Sequence, residues 1–421
     1  MAMVPGLPVL ALTIACFSHR VIAQTDTGEA VAPVAPAAYD DLDVLPAASV
    51  LSPAMQRGPG YEVGTPIVND GYFGAYRLST EYGVFECHGR EMLAIRIDEL
   101  RAIRQLDQIN KGELFLNSVG KAVAKPVGAA AGIVKDPVGT VHKLPSGVAG
   151  LFKRAGDGLE AVGQAVAKGA DDLQRNPDGD PPGNGKPKSR QDIFGFNKNR
   201  NTWAAQMKVD PYSSNPVLAE KLSQVAAVAF TTELVAGVGI GAVAAPLAWA
   251  GNVDEFVLTQ PPEKVKVKIT EDLLALGCSK PSVDAFVANE WFTPTLMVRF
   301  TRALNQLKGT ANLSTAAFLA AKCDTEVQVR LICASLEALA AHRASSPPFR
   351  SLLAIAPLPA VVLEDGSLLI CAPVDVLPWI PSTEAFVKRA SGYPKTMLVL
   401  NGAITMRARE GLAANGWSVG K

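Results

Sequence analysis

Three stretches rich in Ala, Pro, Gly and charged residues, 24–60, 117–174 and 175–190, interrupt this chain, and they decide what it can fold into. Pro and Gly at such density allow only short elements. A packed core therefore has to come from the blocks between them, 61–116, 191–345 and 346–421. At 421 residues there is material for two or three domains.

The three stretches differ in kind. Residues 24–60 lack periodicity and read as a mobile linker. Within 117–174, Lys125-Pro126-Val127-Gly128, Lys135-Asp136-Pro137-Val138-Gly139 and Lys143-Leu144-Pro145-Ser146-Gly147 form a loose repeat, which predicts broken amphipathic helices with lysines at the breaks. Leu159, Val162, Val166 and Leu173 then fall on one stripe. Such a segment can rest on anionic lipid or pack against a neighbouring domain, and packing within the chain is favoured. Residues 175–190 read as a flexible linker. Asp178-Gly179-Asp180 echoes a calcium loop, but Ser189 stands where its closing Glu belongs and prolines fill the interval.

Block 61–116 opens with two alternating runs, Ala75-Tyr76-Arg77-Leu78 and Gly83-Val84-Phe85-Glu86-Cys87, which predict a β-hairpin. Leu93, Ile97, Leu100, Ile103 and Leu106 then recur at helical spacing. Arg90, Arg96, Arg101 and Arg104, mixed with Asp98, Glu99 and Asp107, are expected to form its solvated face.

Block 191–345 reads as a helical domain. Asn215 and Pro216 mark one helix start, and Thr293-Pro294, Asn312-Leu313-Ser314 and Asp324 mark others. Val329, Ile332, Leu336 and Leu339 form a clean apolar stripe. Residues 234–251 carry no charge and hold Gly237 and Gly241 at small-residue packing distance. The length just reaches a membrane span, but the glycines and Pro246 weaken a helix, so a buried core segment is favoured over insertion.

In block 346–421, Asp365-Gly366 sits between Val361-Val362-Leu363-Glu364 and Ser367-Leu368-Leu369-Ile370, the strongest hairpin signal present. A helix from about Thr383, a strand 397–400, a helix 405–414 and a strand 417–419 then predict a parallel β-α-β unit anchored by Trp417. The fold class expected is α+β and mostly helical: an N-terminal hairpin with helices, a central bundle and a small C-terminal α/β unit.

The first residues speak to compartment. Residues 4–17 are almost wholly apolar and end near Val21-Ile22-Ala23, the pattern of a signal peptide (1–23) cut after Ala23. A lipoprotein reading would acylate Cys16, but Thr13 stands where that motif prefers Leu. Lys+Arg and Asp+Glu both number 40, and this balance argues against a nucleic-acid partner. The six cysteines show no C-x-x-C pair, so they read as buried thiols rather than as a disulfide or zinc framework.

No catalytic, cofactor-binding or metal-ligating residue is assigned, because H-E-x-x-H, G-x-S-x-G and Walker patterns are missing from the sequence. Cys87 and His88 are adjacent, so in a strand they point to opposite faces. His342 suits a helix C-terminus, and Asn401-Gly402 reads as a turn at a strand end.

From Tyr61 onward, Val68-Asn69-Asp70-Gly71-Tyr72, Lys135-Asp136-Pro137-Val138-Gly139, Val209-Asp210-Pro211-Tyr212-Ser213-Ser214-Asn215 and the closing Gly416-Trp417 resemble uncharacterised exported proteins of proteobacteria. The resemblance implies compartment and shared architecture, and no reaction or site residues. The expectation is an exported, periplasmic or envelope-associated protein that binds or scaffolds an envelope protein or membrane surface. The alternatives are membrane insertion through 234–251, or an enzyme whose site is assembled near the C-terminal α/β unit.

Overall fold

The computed structural model describes residues 38–111, 190–226 and 253–420, and every element below lies in the unit Tyr39–Lys421. The fold is α+β, with one sheet near the start, helices between and a second sheet at the end. The segments expected at 1–23, 117–174, 175–189 and 234–251 lie outside the described residues. No described helix is long and apolar enough to cross a membrane.

Residues 39–60 are structured, which corrects the linker expected over 24–60. Strand β1 (Val44–Leu45), helices α1 (Ala47–Val50) and α2 (Pro53–Gln56) and strand β2 (Arg57–Gly58) border the first sheet. Leu45, Val50, Leu51 and Met55 are buried in it. So few apolar residues leave no periodicity to read, yet they suffice because backbone pairing to the sheet does the rest.

The first sheet continues with β3 (Tyr61–Val63), β4 (Ile67–Asn69), β5 (Gly74–Thr80) and β6 (Gly83–His88). The expected hairpin is β5–β6, in register from Ala75↔His88 to Thr80↔Gly83. The shorter β3 and β4 pair with the two ends of β5. Tyr76, Leu78 and Cys87 point inward and are fully buried.

Against that face lies α3 (Arg90–Lys111), with Leu93, Ile97, Leu100, Ile103 and Leu106 all buried. Helices α4 (Arg190–Met207) and α5 (Pro216–Ala226) join the same core through Trp203, Leu218, Leu222 and Val225. The helical block expected from 191 is thus divided, because its first part packs with the N-terminal sheet. Periodicity identifies an apolar face but not the neighbour that covers it. Asn215 caps α5 as expected, its Oδ1 accepting from the Val217 and Leu218 amides at 3.0 and 3.3 Å.

The bundle comprises α6 (Glu255–Thr259), α7 (Pro262–Ala275), α8 (Lys280–Ala288), α9 (Pro294–Gln306), α10 (Ser314–Ala321) and α11 (Glu326–His342). Phe286, Phe292 and Phe300 meet at its centre, with ring centroids 4.6–5.8 Å apart. Thr293 caps α9, as read. Thr325, not Asp324, caps α11, while the Gln328 side chain reaches back to the Asp324 amide at 3.0 Å. A Thr with Gln three residues on satisfies two orphan donors at once, which Asp324 alone could not do.

The last block forms β7 (Phe349–Ile355), β8 (Leu358–Leu363), β9 (Leu368–Ala372), β10 (Val376–Leu377), α12 (Pro381–Arg389), β11 (Thr396–Leu400), β12 (Ala403–Ile404), α13 (Met406–Ala414) and β13 (Trp417–Gly420). Five of these strands make a sheet ordered β13-β11-β9-β8-β7. β7, β8 and β9 run antiparallel, and β9, β11 and β13 run parallel. Helices α10 and α11 cover one face. Val387 of α12 and Ala408 and Leu412 of α13 join the core on the other. Strands buried on both faces read as continuous apolar runs, as 360–363 and 368–372 do. Trp417 is 7% exposed and stands edge-on to Phe386 at 5.6 Å.

Two outcomes follow for stability. Trp417→Ala should lower the unfolding free energy by about 3–5 kcal/mol in urea titration, because α12, α13 and β13 share that side chain. The β7–β8 loop is Ala356-Pro357, with Ala356 held at φ 51°. Glycine carries no Cβ penalty there, so Ala356→Gly should raise stability by about 1 kcal/mol in the same assay.

Candidate functional site

The polar residues of the described chain gather where the N-terminal layer meets the bundle and where it meets the C-terminal sheet. The first cluster starts at the head of α3. Arg299 of α9 and Arg330 of α11 both donate to Glu91 Oε1, at 2.7 and 3.3 Å. Arg299 also grips both oxygens of Glu337 at 2.9 and 2.8 Å, and Arg330 forks onto Glu326 Oε1 at 2.9 and 2.7 Å.

The other oxygen of Glu326 accepts the Ser214 hydroxyl at 2.9 Å, and Ser214 in turn accepts Arg96 Nη2 at 2.5 Å. Arg96 Nη1 reaches Glu99 and Ser213 at 2.9 and 3.1 Å. Glu99 also takes the Ser213 hydroxyl and, at 2.8 Å, the Asn215 amide that caps α5. The chain of bonds thus runs unbroken from α5 through α3 to α11 and α9. Beside it, Asp210 accepts from the Thr295 hydroxyl at 2.7 Å and the Tyr212 amide at 2.9 Å.

The arginine row of α3 is therefore not a solvated face, contrary to the sequence expectation. Arg96 and Glu99 are 6% and 2% exposed. Arg101 donates to the Met207 carbonyl, and Arg104 to Glu81 and the Pro59 carbonyl. The spacing held the signal: Arg96 falls three residues after Leu93 and four before Leu100, on the apolar stripe itself.

Burial alone would raise the Glu91 carboxyl, but the Arg299 and Arg330 guanidiniums outweigh it and hold the group below its ordinary value. Asp210 goes the other way, because burial raises it and its hydroxyl and amide donors only partly compensate.

The second cluster surrounds Asp375, a 4% exposed carboxylate. It accepts the Gly74 amide at 3.0 Å, the Tyr76 hydroxyl at 2.8 Å, the Arg90 amide at 3.0 Å and Arg90 Nε at 3.1 Å. Burial, then the Asp375 charge, raises the Tyr76 phenol. Arg90 Nη2 continues to the Asn401 carbonyl at 3.0 Å, and a Cβ on Gly402 would collide with the Val374 and Asp375 carbonyls. Asn401-Gly402 thus seats a backbone against the Asp375 cluster. An Asp closing the apolar run 368–374 was the sequence signal for this cluster.

The remaining sequence candidates stay apart. Cys87 is buried, and burial pushes its thiol up to about 12, whereas His88 lies on the outer face of β6. Burial likewise raises Cys278 to about 11 and Cys323 and Cys371 to about 12. All five described cysteines are free and buried. His342 closes α11, where its carbonyl accepts the Ser345 amide. Both oxygens of Glu99, Glu326 and Asp375 accept from donors of this chain, whereas Glu91 accepts through Oε1 and Asp210 through Oδ1. The clusters tie the layers that carry them to one another.

No protein-family model, curated protein or solved structure matches the chain.

The Glu91 geometry fixes a pH response. A carboxyl depressed in the folded state stabilises it above the unfolded value, about 4.3, and that contribution is lost as the pH falls through the folded value. In urea titrations from pH 7 down to 3, the wild-type protein should lose stability more steeply below about pH 4.3 than Glu91→Gln, which has no such proton to take up. Equal slopes would mean that Glu91 is not the linked group.

Proposed function

We propose that this chain is an exported, envelope-associated protein that works by binding or scaffolding, without catalytic turnover. The observation that carries the reading is that the main carboxylates of its polar clusters are held by donors of the same chain. Glu91, Glu99, Glu326 and Asp375 face guanidiniums, hydroxyls and amides of the same chain. A catalytic carboxylate or hydroxyl needs capacity left for a substrate. Thiols raised to about 11 or 12 hold almost no nucleophilic thiolate at neutral pH. The export part of the reading rests on the apolar run 4–17 and the small residue at Ala23.

Fractionation of cells expressing a C-terminally tagged chain tests both parts. The expected result is recovery in the envelope or periplasmic fraction with a mature amino terminus at Gln24. Purified from that fraction, Ser213→Ala and Asp375→Asn should each shift the melting temperature. Neither should abolish a measurable hydrolytic or transferase activity. A cytoplasmic protein with its first residues intact overturns export, and turnover lost through either substitution overturns the non-catalytic reading.

A further inference from the structure

The segment leading into β1 crosses from the first sheet to the C-terminal unit, and its contacts there are those of a bound peptide. The Asp40 amide donates to the Trp379 carbonyl at 2.9 Å, and the Trp379 amide donates to Asp40 Oδ2 at 2.7 Å. The Thr405 hydroxyl donates to the same oxygen at 2.6 Å while accepting the Ala408 amide as the cap of α13. Arg407 lies 3.7 Å from the other carboxylate oxygen and donates to the Tyr39 carbonyl at 2.6 Å. The Tyr39 hydroxyl donates to Glu384 at 2.7 Å. Asn69 then holds the Leu42 and Asp43 carbonyls, both at 2.9 Å, before β1 pairs with β4.

Two further observations bear on how firmly this strap is held. Leu45 is buried and Leu42 packs on the first core, but the residues in the groove, Tyr39 and Asp40, are only half-buried and are held by polar contacts. The groove, by contrast, keeps its shape through its own core. Trp379 packs on Gly411, where a Cβ would strike its ring, and Ala408 and Leu412 seat α13 on the sheet. The Asp40 carboxylate lies at the N-terminus of a nine-residue helix, where a negative charge is favoured. Segments with few buried apolar contacts open first.

We propose that residues 39–43 are a detachable strap, and that the groove formed by Trp379, Thr405, Arg407 and Glu384 is a docking site for an extended partner segment with a carboxylate at the position of Asp40, which the strap occupies in competition. The inference rests on the binding reading above and names the chemistry of the partner. The Trp379 backbone pairs with any extended chain, while Thr405, Arg407 and the Trp379 amide select a carboxylate at the position of Asp40.

The test uses the full chain. In native-state hydrogen exchange the Trp379 amide should exchange about 100-fold faster than the Ile370 and Leu398 amides, through a local opening. A labelled peptide of sequence Tyr-Asp-Asp-Leu-Asp-Val-Leu should bind Asp40→Ala about tenfold more tightly than the wild-type chain. Replacing the first Asp of the peptide by Asn should cost about tenfold on either protein. Tyr39→Phe, which removes only the bond to Glu384, should fall between the two proteins. The proposal is overturned if Trp379 exchanges only with global unfolding. It fails equally if Asp40→Ala costs the C-terminal core its protection, which would make the strap part of the fold, or if the peptide binds none of these proteins. Neither readout involves turnover, so a discovered activity would remove the non-catalytic reading and leave this one standing.

Discussion

A carboxylate taken out of water has to be met by donors, and the placement of Asp375 dictates much of this architecture. Two backbone amides, one phenol and one guanidinium converge on it. They come from β5 and the head of α3, while Asp375 stands in the loop before β10, so these bonds tie the first sheet to the C-terminal unit. Leaving such a charge without partners would cost several kcal/mol. The surroundings follow from that placement. The Tyr72 carbonyl takes the Asp375 and Val376 amides. Gly74 leaves no room for a Cβ beside Tyr76, and Gly402 none beside Val374.

The three apolar cores are joined by apolar contacts, such as Val376 in the first core and Tyr72 and Phe73 against the third, and by polar ones. One core lies between the first sheet, α3, α4 and α5, one fills the bundle and reaches one face of the second sheet, and one lies under α12 and α13. Apolar burial holds each together without regard to direction. Ion pairs and hydrogen bonds have preferred geometries, so the Glu91–Arg299, Glu91–Arg330 and Arg96–Ser214–Glu326 contacts orient α3 against α9 and α11. The same division explains the strap, which crosses between cores and is held mainly by polar groups.

Much of the fold was legible in the sequence, and the legible parts share a cause. The β5–β6 hairpin, the α3 stripe, the Asn215 and Thr293 caps and the Asp365-Gly366 turn each rest on contacts a few residues apart, and the β11-α13-β13 unit on three consecutive elements. The misreadings also share one. The short strands and helices at 44–58 have too few apolar residues to show a period, yet pairing with β3 and β4 and burial in the first core order them. Helix α5 carries an ordinary amphipathic pattern, and nothing in it says that α3 is its neighbour, while α4 packs against both α5 and α6. Arg96 read as solvent-facing because charge was weighed above its position on the stripe.

The sequence by itself determined the β5–β6 hairpin, the α3 stripe, the Asn215 and Thr293 helix starts and the C-terminal β-α-β run with its buried Trp417, because backbone propensity, capping and periodicity are local. Only the tertiary structure decided which charges would be buried together. Glu91 precedes its two arginines by more than 200 residues, and Asp375 lies 285 residues beyond Arg90. Electrostatic pairing acts through space and leaves no period along the chain, so these contacts exist only once the layers that carry them have packed.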